Sequence, residues 1–202
     1  LAYGFKWVWA PLVDRVPLPF LTRRFGRRRA WLLLSQTAIV GALTGMALTD
    51  PKLALTPIVI LALAVAFASA TQDIALDAYR IESAETDRQA ALAATYQTGY
   101  RLAMIWSGAG ALWLAARAAG DSEGVYLHAA WRTAYLTMAA SMFVGIVTVL
   151  LAPEPLRREL PPARNAAEWL RQTLLEPFAE FLRRYRWQAV QILALIAVYR
   201  IS

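Results

Sequence analysis

Ser69-Ala-Thr-Gln-Asp-Ile-Ala-Leu-Asp-Ala-Tyr-Arg80 is the stretch on which the reading of this chain turns. It closes a run from Leu55 to Ala70 that carries no charge, then places Asp73 and Asp77 four residues apart with Arg80 three further on. At ~100° per residue, Ser69, Asp73, Asp77 and Arg80 share an arc of roughly 80° on one helix face, while Ile74, Ala78 and Ile81 point elsewhere. An ionised group in a bilayer core costs several kcal/mol, so a charged stripe on a spanning helix faces protein or a water-filled cavity rather than lipid. Asp73 is therefore expected in a packed interior or a functional site. Arg80 by itself reads as a solvated helix end.

The composition supports a membrane reading. Of 202 residues, 58% are hydrophobic and only 17% charged, with a mean hydropathy of +0.40; soluble domains carry about a quarter charged residues. Cysteine is absent and the one histidine, His128, has no acidic or thiol constellation around it. No metal site, redox site or disulfide framework is expected, and no cofactor. Net charge is +7 with a pI of about 10.1, which raises the question of nucleic acid.

The distribution of that charge answers it. Leu1 to Trp9 is apolar except for Lys6, and Ala10-Pro-Leu-Val-Asp-Arg15 ends that helix. A basic connector runs to Arg23-Arg-Phe-Gly-Arg-Arg-Arg29. Further spans are expected over Ala30 to Leu48, Leu55 to about Ala78, Ala90 to Ala116 and Trp131 to Ala152, each long enough for a ~30 Å hydrocarbon core. Gly41-Ala-Leu-Thr-Gly45 and Ser107-Gly-Ala-Gly-Ala111 supply small-residue faces for close helix approach. After Pro153-Glu-Pro155 the chain becomes polar and Arg-rich through 186. Leu170, Leu174, Phe178, Phe181 and Tyr185 recur there at helical spacing, an amphipathic surface helix with Pro177 near the start of its second piece. Apolar sequence resumes at Trp187. The chain opens and closes inside helical patterns, so a fragment of a longer protein is expected.

The first, third and fifth connectors carry six, two and seven Lys or Arg residues; the second and fourth carry one and two. The odd connectors are therefore expected on the cytoplasmic side. Trp31 and Trp187 then lie at the inner interface, Trp113 and Trp131 at the outer. The positive charge is topological, and no nucleic-acid partner is expected.

Counted from the cytoplasmic ends at 1.5 Å per residue, Asp77 lies ~5 Å deep, Asp73 ~10 Å, Lys6 ~12 Å, Arg101 ~16 Å and Arg200 ~20 Å. Lys6 and Asp73 share a level at which an ion pair across helices is expected. Arg101 and Arg200 approach the midplane, where transporter solutes bind, and Gln97 lies one turn from Arg101 on the same face. Three bases against two acids make a cavity biased positive, suited to an anionic solute. The bland alternative for each is a structural ion pair. No nucleophile–base pair accompanies these charges, so no enzyme is expected.

Asp14-Arg15 followed by Gly26-Arg-Arg-Arg29 resembles the loop after the second helix of major facilitator transporters, with Ala10 at the leading glycine position and a stretched gap through Val16-Pro-Leu-Pro-Phe20. Phe5-Lys-Trp-Val-Trp-Ala-Pro-Leu-Val-Asp-Arg15, Ala70-Thr-Gln-Asp-Ile-Ala-Leu-Asp-Ala-Tyr79, Gly99-Tyr-Arg-Leu-Ala-Met104 with Ser107-Gly108, and Tyr199-Arg200 together resemble AmpG-type permeases. The resemblance implies an all-α membrane protein with the major facilitator fold, covering about helices 2 to 7 of a twelve-or-more-helix transporter. Residues 1–152 would belong to the N-terminal bundle, 153–186 to the cytoplasmic inter-bundle loop and 187–202 to the start of the C-terminal bundle. It also implies a multi-pass protein of the bacterial inner membrane, monomeric, importing GlcNAc-anhydro-MurNAc and its peptides with protons, for cell-wall recycling linked to β-lactamase induction. Asp73 and Asp77 would then couple protons. Lys6, Gln97, Arg101 and Arg200 would contact the anionic glycopeptide, and Asp14, Arg15, Gly26, Arg27, Arg28, Arg29 and Arg80 would form a cytoplasmic gate. A carrier of another anionic solute such as acetyl-CoA, or a membrane sensor of wall fragments, are the alternatives.

Overall fold

The computed structural model describes residues 2–120 and 126–155, the positions 165, 168 and 171, and residues 175–201. Every regular element among them is helical. α1 (Ala2–Arg15) carries Pro11 in its interior. A short α2 (Leu21–Phe25) sits inside the basic connector. α3 (Arg27–Leu48) and α4 (Leu55–Ser83) follow, and a 3₁₀ turn at Thr86–Arg88 leads into α5 (Gln89–Ile105). A π turn at Trp106–Gly110 joins α5 to α6 (Ala111–Ala119), and α7 is His128–Leu151. Then come α8 (Glu176–Tyr185) and α9 (Trp187–Ile201).

Four continuous helical stretches are long and apolar enough to cross a membrane: Arg27–Leu48, Leu55–Ser83, Thr86–Ala119 and His128–Leu151. These are the four closed spans expected, with shifted ends. α4 runs past the expected end at Ala78 to Ser83, because no glycine or proline interrupts Tyr79-Arg-Ile-Glu-Ser83. The small-residue run expected as a packing face forms the π turn instead. Within it a Cβ on Gly110 would meet the Trp106 ring at 2.8 Å. Of the other glycine pair, Gly45 lies against Leu61, where a Cβ would come within 3.0 Å, whereas Gly41 has nothing within 4 Å.

Packing divides the chain into two units, Leu1–Arg157 and Arg158–Ser202. In the first, α3 is central: it packs on α4 and α7, α1 packs on α4, and α6 on α7. The core gathers Val13, Trp31, Leu32, Leu33, Ile74, Ala75 and Val149. α3 is surrounded, and its buried Ser35 Oγ donates within the helix to the Trp31 carbonyl at 2.8 Å.

The antiparallel succession brings the end of α1, the start of α3, the end of α4 and the end of α7 together. Gly26 makes the entry to α3 at φ 87°, ψ 171°, a conformation essentially confined to glycine. A Cβ there would lie 2.3 Å from Glu154 Cδ. Gly26→Ala should therefore cost about 2–4 kcal/mol, combining backbone strain with a lost helix cap. It should lower the thermal unfolding midpoint in detergent, while Gly41→Ala leaves it nearly unchanged.

Candidate functional site

The charged stripe of α4 meets α1 and α5. Lys6 Nζ lies 2.8 Å from Asp73 Oδ2 and 4.0 Å from Asp77 Oδ2, so the pair expected from depth counting is formed. Tyr96 on α5 donates its hydroxyl to Asp73 Oδ1 at 3.2 Å. Arg80 Nη2 sits 3.5 Å from Asp77 Oδ1, with its guanidinium 5.0 Å from the Tyr96 ring centroid, within cation–π range. Two residues before Asp73, Thr71 accepts a hydrogen bond from Trp9 Nε1 at 3.2 Å, and Trp9 packs on Phe67. Together with the Lys6–Asp73 pair, these contacts hold α1 against α4.

Beside this network is a cavity of about 610 Å³, whose lining includes Ser69, Gln72, Asp73, Tyr96, Tyr100 and Ser107. The Gln72 Oε1 is buried without a hydrogen-bond partner among the described residues, and a buried amide oxygen left unpaired costs free energy. The π turn delivers Ser107 to the same wall, as such bulges often do at functional sites. The α5 residues lining it are Thr95, Tyr96, Gly99, Tyr100, Ala103 and Met104. Gln97 and Arg101, one position further round the helix, do not line it; both are exposed. Arg200 lies in α9, but its side chain falls outside the described residues.

A second cluster sits where the four helix ends meet. Arg28, only 5% exposed, clamps Glu82 with both arms of its fork: Nη2 to Oε1 at 2.5 Å and Nε to Oε2 at 3.0 Å. Its Nη1 donates to Asp14 Oδ1 at 2.6 Å. Arg27 Nη2 is 3.5 Å from Glu82 Oε1, and its Nη1 donates to the Asp14 carbonyl. Arg29 donates to the carbonyls of Val149 and Leu150 at 2.8 and 2.6 Å, the last turn of α7, where a cation complements the helix dipole. Glu154 accepts the backbone N–H groups of Arg28 and Arg29 at 2.8 and 3.2 Å. That caps α3 from a residue 125 positions away in sequence. Arg15, half-buried, ends α1.

Sequence reading groups Asp14, Gly26 and the three arginines in one cytoplasmic gate without naming their partners. The partners found belong to the same packed unit. Glu82, Glu154, Tyr96 and Gln72 went unmarked. Glu82 lay two residues past Arg80 in what read as a connector, and Glu154 in what read as the opening of a loop. No group of three or more His, Asp or Glu side chains that could hold a metal occurs among the described residues.

Helices packed in this order around a charged seam, with an arginine cluster at one end, define a membrane-embedded helical bundle. The Major Facilitator Superfamily model matches residues 5–201, and the chain belongs to that family. It is 38% identical over 201 residues to a protein of Escherichia coli K12 named anhydromuropeptide permease, covering all of this chain and 37% of that one. It is 32% identical over 203 residues to a Rickettsia felis protein named putative transporter AmpG 4, covering all of this chain and 46% of that one. An uncharacterized Haemophilus influenzae protein is 43% identical over 157 residues, 77% of this chain and 33% of its own length. The chain thus spans less than half the length of these curated relatives. No solved structure matches it.

Removing one partner of a buried ion pair costs about 3–5 kcal/mol, because the remaining charge is left uncompensated. Glu82 is 16% exposed and holds Arg28 by two bonds; Asp14 is 41% exposed and holds it by one. Glu82→Gln should therefore lower the unfolding midpoint clearly more than Asp14→Asn. Equal losses in a thermal melt would mean that the fork does not anchor this end of the bundle.

Proposed function

We propose that the chain is part of a secondary transporter that carries anhydro-muropeptides across the bacterial inner membrane into the cytoplasm, coupled to protons. The observation that carries this reading is similarity along the whole chain to a protein named for that solute. The site chemistry agrees with it. A cavity with an unpaired amide oxygen, hydroxyls and aromatic rings suits a solute built from N-acetyl sugars and peptide bonds, which offers N–H donors and ring faces.

Asp73 is the proposed proton carrier. In the state described, its two oxygens are engaged by Lys6 and Tyr96. Separation of α1 from α4 would break the Lys6 contact and free that carboxylate oxygen, and their closing would restore it. Asp77, 4.0 Å from the same ammonium, is the secondary acceptor. The cluster around Arg28 acts as the gate. Its ion pairs join α1, α3 and α4 at the arginine-rich end, and opening that end requires them to rearrange.

Uptake of labelled GlcNAc-anhydro-MurNAc into vesicles, with and without a proton gradient, tests the whole reading: accumulation that ignores the gradient rejects the coupling, and no uptake rejects the solute. Asp73→Asn should abolish accumulation against a gradient while leaving downhill exchange within a few-fold of the unsubstituted protein. Concentrative uptake that survives this substitution would place the proton elsewhere.

Arg101, exposed and without a hydrogen-bond or ion-pair partner among the described residues, is proposed to meet the carboxylates of the peptide stem. An arginine fork pairs a carboxylate bidentately, and a charge-assisted contact contributes about 1.5–3 kcal/mol. Arg101→Lys should weaken a peptide-bearing solute roughly tenfold and the bare disaccharide hardly at all. Equal effects on both in a competition assay would make Arg101 structural.

A further inference from the structure

α8 and α9 meet at one residue. Arg186 has φ 45°, its N–H closes α8 on the Leu182 carbonyl at 2.8 Å, and its own carbonyl accepts from Ala189 at 3.2 Å in the first turn of α9. No linker separates the two helices, so the chain leaves α8 and enters an apolar helix at a corner. α9 carries no charge from Trp187 to Tyr199, the composition of a span rather than of a surface helix.

The two faces of α8 differ sharply. At ~100° per residue, Phe181, Leu182 and Tyr185 fall within an arc of about 100°, and Glu176, Glu180, Arg183 and Arg184 within an opposite arc of similar width. The charged residues are all exposed. The apolar face is not covered either: Leu182 is 49% exposed and Tyr185 38%, with Leu175 at 64% before the helix and Trp187 at 72% after it. Charge is also sorted along the axis. The acids Glu176 and Glu180 occupy the first half, and Arg183, Arg184 and Arg186 gather at the end adjoining α9.

We propose that α8 is a membrane-surface strap whose occupant is an anionic phospholipid leaflet: the apolar face enters the headgroup–acyl boundary and the three arginines bind lipid phosphate. Three observations single out lipid. The corner at Arg186 ends α8 where an apolar helix begins, so the strap lies at the level of the interface. Tyr185 and Trp187 flank the corner, and such aromatics settle at headgroup depth. The arginines are concentrated where phosphates would be nearest, and guanidinium forks match phosphate oxygens. A helix amphipathic in this manner lies in the plane of the interface. The strap would thus answer to leaflet charge independently of which solute the protein carries.

These 202 residues contain no cysteine, so a cysteine introduced among them is unique within the stretch, with any cysteine elsewhere in the intact protein replaced by serine. Leu182→Cys and Glu180→Cys, each labelled in the intact protein in lipid nanodiscs, report the two faces by collision with oxygen, which concentrates in lipid, and with a water-soluble nickel chelate. In discs containing phosphatidylglycerol, the oxygen-to-nickel ratio at 182 should exceed that at 180 about tenfold. Each basic residue near an anionic leaflet contributes roughly fivefold to partitioning. Arg183→Gln with Arg184→Gln should accordingly lower the docked-to-undocked ratio on the order of 20-fold, as should discs of phosphatidylcholine alone. A label at 182 shielded from both reagents would mean that the face is covered by protein, and the proposal falls. Equal collision ratios in anionic and neutral discs would also overturn it.

Discussion

One side chain, Arg28, ties the first unit together at its charged end. It is almost fully buried, and a buried guanidinium is tolerable only if its donors are met. Glu82 takes two and Asp14 a third, which fixes the end of α4 and the end of α1 on the first turn of α3. The backbone beneath it is held as well, because Glu154 receives the N–H groups of residues 28 and 29 and Arg29 reaches the final carbonyls of α7. Four helix ends are therefore joined through one turn of α3. Gly26 is required at its entry because the Glu154 carboxylate occupies the space where a Cβ would be.

The second constraint is the charged seam of α4. Lys6, Asp73, Asp77 and Arg80 each carry a charge into an otherwise apolar bundle, and each is paired. Their side chains are only partly buried, about 26–38% exposed, so water screens the pairs and they are weaker than the Arg28 fork. The two clusters thus differ in physical character. One centres on a buried bidentate fork between Arg28 and Glu82 and is suited to holding a closed arrangement; the other is shared between two acids and one lysine and adjoins a cavity.

Much of this was legible in the sequence. Span number and approximate length follow from uncharged runs, and the Lys6–Asp73 pair follows from counting depth at 1.5 Å per residue along two helices that enter from the same side. The charged stripe on α4 follows from periodicity alone. What escaped was lateral. In helices apolar nearly all round, periodicity gives little indication of which face meets a neighbour, so Tyr96, Gly99 and Tyr100, which line the cavity on α5 beside Gln97 and Arg101, carried no mark in the sequence. Adjacent residues differ by ~100°, enough to exchange one wall for another. Glu82 and Glu154 escaped because their partners depend on helix ends converging in space. The π turn escaped because Ser107-Gly-Ala-Gly reads equally well as a helix-packing face.

The two clusters share a helix, and that sharing suggests how a local event at one reaches the other. Asp73 and Glu82 are nine residues apart on α4, or ~14 Å along the axis of an element with no proline between them. Arg80 lies between, paired with Asp77 and stacked over the Tyr96 ring. A proton that neutralises Asp73 weakens its attraction to Lys6, and therefore the hold of α1 on the middle of α4. The same two helices are held at their ends by the Arg28 fork, through Asp14 and Glu82. Loss of the inner contact leaves the outer one to bear any displacement of α1 against α4. A bidentate pair does not stretch gradually, since its geometry is satisfied or lost. In the proposed cycle, protonation at the seam and release at the helix ends would be two positions of one rod, with the buried fork making the change between them abrupt.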